Sequence, residues 1–297
     1  MPSPCFPLRR SLRRVVAAAA FCLAGSPVLQ AAPVVAVSIK PLEHLVAALT
    51  DGVTTPQLVV RTGQDPHHIS LRPSERRLLA KADLLLWVGP SMELPLVELV
   101  QQIDAAVLTA ETLPQLQRIS AGTALDPHLW LDTRNAWRIA AAFTQQLIAL
   151  DAANALQYEA NLERFGQQLQ QLHEALQQQF AQQAPRQWAV YHNAFRYLEQ
   201  EFALPPALTL RESDNVDPGL RSVLAFRKAL QDAQLNCMVI EPGMHDHDLD
   251  AMLDDDSLRT VEADVLGVTL PVAADSFTTL ISNVATAIQS CAGAPHE

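Results

Sequence analysis

At 297 residues the chain is long enough for two domains of ordinary size, each able to bury its own core. It is 49% hydrophobic and 18% charged, with a formal net charge of −11. That acidity argues against nucleic acid or an anionic membrane as partner and suits a cation. No apolar run after residue 32 is long enough to read as a transmembrane helix.

The first segment, residues 1–31, reads as a cleavable signal peptide. Arg9, Arg10, Arg13 and Arg14 form a basic stretch, and Val15 to Gly25 is apolar but too short for a stable membrane anchor. Leu29-Gln30-Ala31 offers a small residue at the cut, while Cys22 lacks the small residues before it that mark a lipoprotein. Loss of this leader takes four arginines and no acids from the 21 basic and 32 acidic residues, leaving 17 against 32 and a formal charge of −15. Cys5 and Cys22 leave with it. Cys237 and Cys291 remain, and a lone pair in an exported chain reads as one disulfide, two unrelated buried thiols being the alternative.

Residues 32–150 alternate strand and helix. Val34–Ile39 reads as a strand, Leu42–Leu49 a helix, Pro56–Val60 a strand, Pro73–Ala82 a helix and Asp83–Gly89 a strand. A helix near Leu94–Ile103, the strand Ala106–Thr109 and the helix 132–148 follow. Continuous apolar strands flanked by helices predict a parallel sheet covered on both faces.

Residues 151–182 form the longest single element. Leu162, Phe165, Leu169, Leu172, Leu176 and Phe180 recur at helical spacing, with Gln, Glu and Arg on the other faces. Asp151 is placed to cap the first turn, and no proline intervenes before Pro185. Such a helix is roughly 45 Å long, more than one small domain needs, and is expected to join two lobes.

Residues 183–297 repeat the strand–helix rhythm. Strands are expected at Trp188–Tyr191, Ala207–Arg211, Met238–Ile240 and Val261–Val265. Helices are expected at Ala194–Phe202, Leu220–Ala233, His247–Met252 and Phe277–Ser290. The predicted fold is therefore α/β, with two Rossmann-like lobes of mainly parallel four-stranded sheets joined by one long rigid helix.

Ligands of open α/β sheets bind beyond the carboxyl ends of the strands. Three of the nine histidines fall there: His67 after the second strand, His128 in Asp126-Pro-His-Leu-Trp-Leu-Asp132, and His192 directly after Trp188–Tyr191. Imidazole is a good zinc ligand, and a three-His set leaves a fourth position for water or a carboxylate. Asp264 is the favoured carboxylate and Glu241 the alternative, each equally readable as a turn cap. His44, His173 and His296 are assigned to surface or long-helix roles.

Taken together, Ser38-Ile-Lys-Pro41, His67 in His-His-Ile-Ser-Leu-Arg-Pro-Ser74, Trp87-Val-Gly-Pro90, His128 in His-Leu-Trp-Leu and His192-Asn-Ala-Phe-Arg-Tyr197 resemble a known family. They are similar to the metal-binding periplasmic subunits of ABC importers, in the high-affinity zinc-uptake (ZnuA-type) branch. The resemblance covers essentially all of the chain after its leader. It implies a rigid linking helix, two four-stranded α/β lobes and a Zn(II) ion held between them by His67, His128 and His192. The expected protein is a monomeric, non-enzymatic periplasmic carrier that delivers Zn(II) to the permease of an ABC importer, with Asp264, Glu241 or water completing the shell. The resemblance also implies pairing of Cys237 with Cys291, and His192, where manganese and iron members carry Glu, favours zinc.

Two departures stand out. Residues 113–125 lack the histidine-rich insertion of many zinc-type relatives, and His245-Asp-His-Asp248 is either a weak second metal site or a solvated acidic loop. His68 beside His67 falls outside the motif frame. A manganese or iron carrier and a zinc hydrolase are the alternatives, the latter disfavoured because no HExxH-type base accompanies the ligands.

Overall fold

The computed structural model describes residue 1 and residues 31–121, 124–183, 187–211, 218–242 and 258–292. The chain divides into Met1–Ala31 and one compact unit, Ala32–Glu297. The expected helix His247–Met252, the pair His245/His247 and His296 lie outside the described residues.

The first half of that unit runs β1 (Val35–Val37), α1 (Lys40–Thr50), β2 (Gln57–Leu58), α2 (Pro73–Leu79), β3 (Leu84–Trp87), α3 (Val97–Val100) and β4 (Ala106–Thr109). The expected helix Leu94–Ile103 is cut to a 3-10 turn at Leu94–Leu96 followed by α3. A small antiparallel pair, β5 (Ser120–Ala121) and β6 (Ala124–Leu125), precedes α4 (Thr133–Leu150) and α5 (Ala155–Gln182). The second half comprises β7 (Ala189–His192), α6 (Arg196–Glu201), β8 (Leu208–Arg211), α7 (Leu220–Asp232), β9 (Cys237–Ile240), β10 (Arg259–Glu262) and α8 (Ser276–Ala292). The last strand thus starts and ends earlier than Val261–Val265. Each half builds a four-stranded sheet, ordered β2-β1-β3-β4 and β10-β9-β7-β8, and every pair in both is parallel.

Side-chain alternation explains how the sheets assemble. Val35, Val37, Leu84 and Leu86 of the first sheet share one hydrophobic core with Val190, Cys237 and Val239 of the second. Residues of opposite parity face outward into smaller clusters: Ala36 and Leu85 with Leu79 of α2, and Ala189, Met238 and Ile240 with Phe226 of α7. The central strands β1, β3, β7 and β9 are buried on both faces, as their continuous apolar runs require, while the edge strands are partly exposed.

Helix α5 lies within the shared core. Its 28 residues bury Phe165, Leu169, Leu176 and Phe180, with Leu162 and Leu172 packed at the edge. The stripe is the one its sequence predicts. Buried Asn161 on the same helix donates to the carbonyls of Leu49 and Asp51, both at 2.9 Å, closing the C-terminal end of α1. Asp151 does not cap α5 through backbone N–H groups. A 3-10 turn, Ala152–Asn154, intervenes, and the Asp151 carboxylate instead accepts from Asn154 Nδ2 and Tyr158 Oη at 2.8 and 2.9 Å. Cys237 and Cys291 are disulfide-bonded across 54 residues, tying β9 to the end of α8. Closing a loop of that length stabilises the fold by about 4 kcal/mol on the chain-entropy argument.

His44 departs from its expected surface role. Its imidazole is fully buried between α1 and the second half of the chain. Nε2 donates to the Gly267 carbonyl at 2.9 Å, and Nδ1 meets Ser276 Oγ at 2.8 Å. A carbonyl only accepts, so Nε2 carries the proton; the single Ser276 hydroxyl proton is shared between His44 Nδ1 and the Ala273 carbonyl, which lies 2.7 Å from Oγ. Gly267 has φ +65°, and a Cβ there would sit 2.7 Å from His44 Nε2, so the approach requires glycine. Nearby, Trp130 Nε1 donates to the Val265 carbonyl at 3.0 Å. Two donors of the first half thus hold the segment on either side of Leu266. Helical periodicity could not reveal this, because His44 reads as one polar residue on an otherwise apolar face.

Burial pushes the His44 imidazole below its usual pKa, outweighing the Gly267 carbonyl; Lys40 lowers it further, while Glu43 and Asp264 oppose. A histidine buried neutral binds fewer protons than in the unfolded chain. Its stabilising contribution is therefore present above about pH 6.5 and is lost as the pH falls through that value toward the lowered folded pKa. His44→Gln keeps a donor and an acceptor but removes the titration. Denaturant midpoints of the metal-free protein should fall more steeply from about pH 7.5 to about pH 5 for wild type than for this variant. Parallel curves would show that His44 does not contribute.

Candidate metal centre

Three histidines from separate elements converge at the carboxyl ends of the strands. His67 follows β2 in a turn fixed by its own backbone N–H, which donates to Asp65 Oδ1 at 2.8 Å. His128 precedes the 3-10 turn Leu129–Leu131, whose buried Trp130 packs against its ring at a centroid distance of 5.3 Å. His192 is the last residue of β7. Ring centroids lie 5.7 Å apart for His67–His128, 6.0 Å for His67–His192 and 5.0 Å for His128–His192. One ring nitrogen from each lies within 4.8 Å of the others. A tetrahedral zinc ion needs nitrogen separations of about 3.4 Å, so small side-chain shifts suffice.

Carboxylates sit behind two of these rings. His128 Nδ1 meets Asp126 Oδ1 at 2.9 Å, and His192 Nδ1 meets Glu241 Oε1 at 2.5 Å. An ionised carboxylate only accepts, so each Nδ1 carries the proton and Nε2 is the unprotonated, ligand-type nitrogen of each ring. Asp126 is itself held: Oδ1 also accepts from the His128 backbone at 3.0 Å, and Oδ2 from Arg196 Nη1 at 3.1 Å. Burial would raise the Asp126 carboxyl, but its hydrogen bonds with His128 and Arg196 hold it below the usual range. Asp126 lies in the quoted histidine motif, yet composition assigned it no role. A carboxylate two residues before a ligand-type histidine was the available signal.

The remaining acids lie as follows. Asp264 lines the same cavity, of about 320 Å³, as the three histidines, Arg211 and Glu241. Its Oδ1 accepts from Val268 N at 3.0 Å, and Oδ2 from Thr269 N at 3.0 Å and Thr269 Oγ1 at 2.9 Å. Among the described residues, the group close enough to share one ion contains the three histidines and no carboxylate. Glu241, the alternative fourth ligand, is the hydrogen-bond partner of His192. His68 is exposed and bonds to Asp65 Oδ2 at 2.8 Å, while His173 on α5 bonds to buried Glu201 Oε1 at 3.0 Å. Among the described residues, no helix is long and apolar enough to cross a membrane.

Known proteins share the sequence pattern and the fold of this chain. The family described as "ZnuA: Zinc-uptake complex component A periplasmic" matches residues 35–291. High-affinity zinc uptake system protein ZnuA of Yersinia pestis is 26% identical over 310 residues, covering 94% of this chain and 97% of the relative. The protein of that name from Brucella abortus (strain 2308) is 26% identical, covering 92% and 95%. In three dimensions the fold is similar to a crystal structure of ZnuA, with a TM-score of 0.77 at 21% identity, covering 88% of this chain and 99% of that one. It is also similar to the periplasmic zinc-binding protein TroA from Treponema pallidum, with a TM-score of 0.75 at 20% identity and coverage of 86% and 99%.

If the carboxylates orient the imidazoles, Asp126→Asn and Glu241→Gln should each weaken zinc binding by roughly 10- to 100-fold with the fold intact. Competition against a chromogenic chelator measures this. Unchanged affinity in both variants would reduce the two acids to packing.

Proposed function

We propose that this chain, which belongs to the ZnuA family of periplasmic zinc-uptake components, captures Zn(II) in the periplasm and delivers it to an ABC-type importer in the membrane. The observation that carries this reading is the meeting of His67, His128 and His192, two of them set by carboxylates to present Nε2. Zinc is the favoured cargo because three imidazoles suit it better than manganese, which prefers an oxygen-rich shell. Residues 1–31 direct export and are removed, and the acidic remainder suits a cation cargo.

Neutral imidazoles exchange with the water around the hydrated ion and hold it until the importer disturbs the cleft. The role is that of a solute-binding component rather than an enzyme. Asp126 and Glu241 are bonded to ring nitrogens, which leaves neither beside the ion as the base a hydrolase would need. Acid should weaken binding, because each imidazole must be neutral to ligate.

Competition titration of the chelator-stripped protein at neutral pH tests the reading. The expected result is one tightly bound zinc and much weaker manganese, with His67→Ala, His128→Ala and His192→Ala each losing affinity sharply while remaining folded. Three variants that bind like wild type would remove these histidines from the site, and failure of wild type to bind zinc tightly would end the proposal.

A further inference from the structure

We infer that α2 and the turn after it form a cationic face that docks on the phosphate headgroups of an anionic lipid bilayer, holding the protein at the membrane that carries its importer. The face is separate from the histidine site and needs no metal.

Residues 61–81 set five basic side chains, Arg61, Arg72, Arg76, Arg77 and Lys81, against two acidic ones, Asp65 and Glu75, in a chain that is acidic as a whole. Both acids are engaged. Asp65 accepts from the His67 backbone and from His68, and Glu75 accepts from Arg61 Nη1 at 3.1 Å and from Arg72 N. Arg72, Arg76, Arg77 and Lys81 are exposed, and among the described residues no acid forms an ion pair with any of them. Leu79 of α2 packs beside Ala36 and Leu85 on the outer side of the first sheet, which turns the polar side of the helix to solvent.

Part of this face is concave. Ser74, Arg77, Leu78 and Lys81 line a depression of about 320 Å³ together with Val34 and with Gln57 of the edge strand β2. Its polar lining is a hydroxyl, a guanidinium, an ammonium and an amide, with no carboxylate. These are donors that a phosphodiester can accept from, and a guanidinium pairs with phosphate through two parallel hydrogen bonds.

The composition of the face selects lipid over protein. Protein interfaces centre on aromatic and apolar anchors and are depleted of charge at that core. Among the described residues, no large apolar side chain is exposed between positions 57 and 81. Four exposed cations without such an anchor match a surface whose recognition is electrostatic. The acidic balance of the whole chain opposes this only weakly, because charges more than about 8 Å from the bilayer are largely screened at physiological ionic strength. Since α2 follows the His67 turn directly in the chain, docking through it keeps that turn close to the membrane.

Vesicle flotation of the metal-free unit Ala32–Glu297, without the basic leader, tests the inference. Vesicles of phosphatidylcholine are compared with vesicles of equal parts phosphatidylcholine and phosphatidylglycerol. The expected result is binding to the anionic vesicles alone at about 0.15 M salt, and its loss at about 1 M, where the screening length falls to about 3 Å. Arg77→Gln should lower the partition coefficient roughly fivefold, and the combination of Arg72→Gln, Arg76→Gln, Arg77→Gln and Lys81→Gln should abolish binding while leaving zinc affinity unchanged. Absence of binding to the anionic vesicles, or binding that survives in the quadruple variant, would overturn the inference. Calorimetry with inorganic phosphate and with a polyglutamate peptide separates the rival occupants. Binding of either by a protein that ignores the vesicles would make the face a small-anion site or a protein-docking site, and the lipid assignment would fall. Because the vesicle assay runs without metal, its failure leaves the zinc reading intact, and failure to bind zinc would not alter the vesicle result.

Discussion

Three imidazoles on different elements can share one ion only if the two sheets that carry them are held at a fixed distance. The shared core supplies that constraint. Inward-facing residues of both sheets pack with Phe165, Leu169 and Leu176 of α5 into one hydrophobic cluster, so neither sheet has an independent inner face. Close-packed interiors have low compressibility, so the elements that share one keep their separation. The spacing of His67, His128 and His192 is therefore inherited from the core.

Electrostatics completes what packing begins. A buried imidazole has two tautomers, and one presents the wrong nitrogen. Asp126 and Glu241 remove that choice for His128 and His192, and Arg196 gives the buried Asp126 carboxylate a second hydrogen-bond partner. The same logic operates where no metal is involved. His44 uses both ring nitrogens to join α1 to Gly267 and Ser276, so a histidine that could have been a ligand is a structural bond between the halves.

Much of this was legible in the sequence. The apolar stripe of α5 follows from periodicity, because burial of one face imposes a 3.6-residue repeat, and the strands follow from short apolar runs, because a parallel sheet is covered on both faces. Element ends were less legible. The stretch after Glu93 breaks into a 3-10 turn and a short helix, and the turn Ala152–Asn154 displaces the start of α5, because such ends depend on local hydrogen bonds rather than on periodicity. The three histidines could be picked out because strand ends are where open α/β sheets place ligands.

The sequence by itself determined the fold class, the long joining helix, the cysteine pair and the histidines worth considering. Each is written in spacing or residue type, which local physics reads without reference to distant parts of the chain. Tertiary structure alone decided which acid does what. Glu241 stands behind His192, Asp264 caps its own turn and Asp126 orients His128, although all three read alike as carboxylates in loops. Their roles depend on contacts across 49 residues in one case and two in another, and a hydrogen bond is decided by where the chain returns in space.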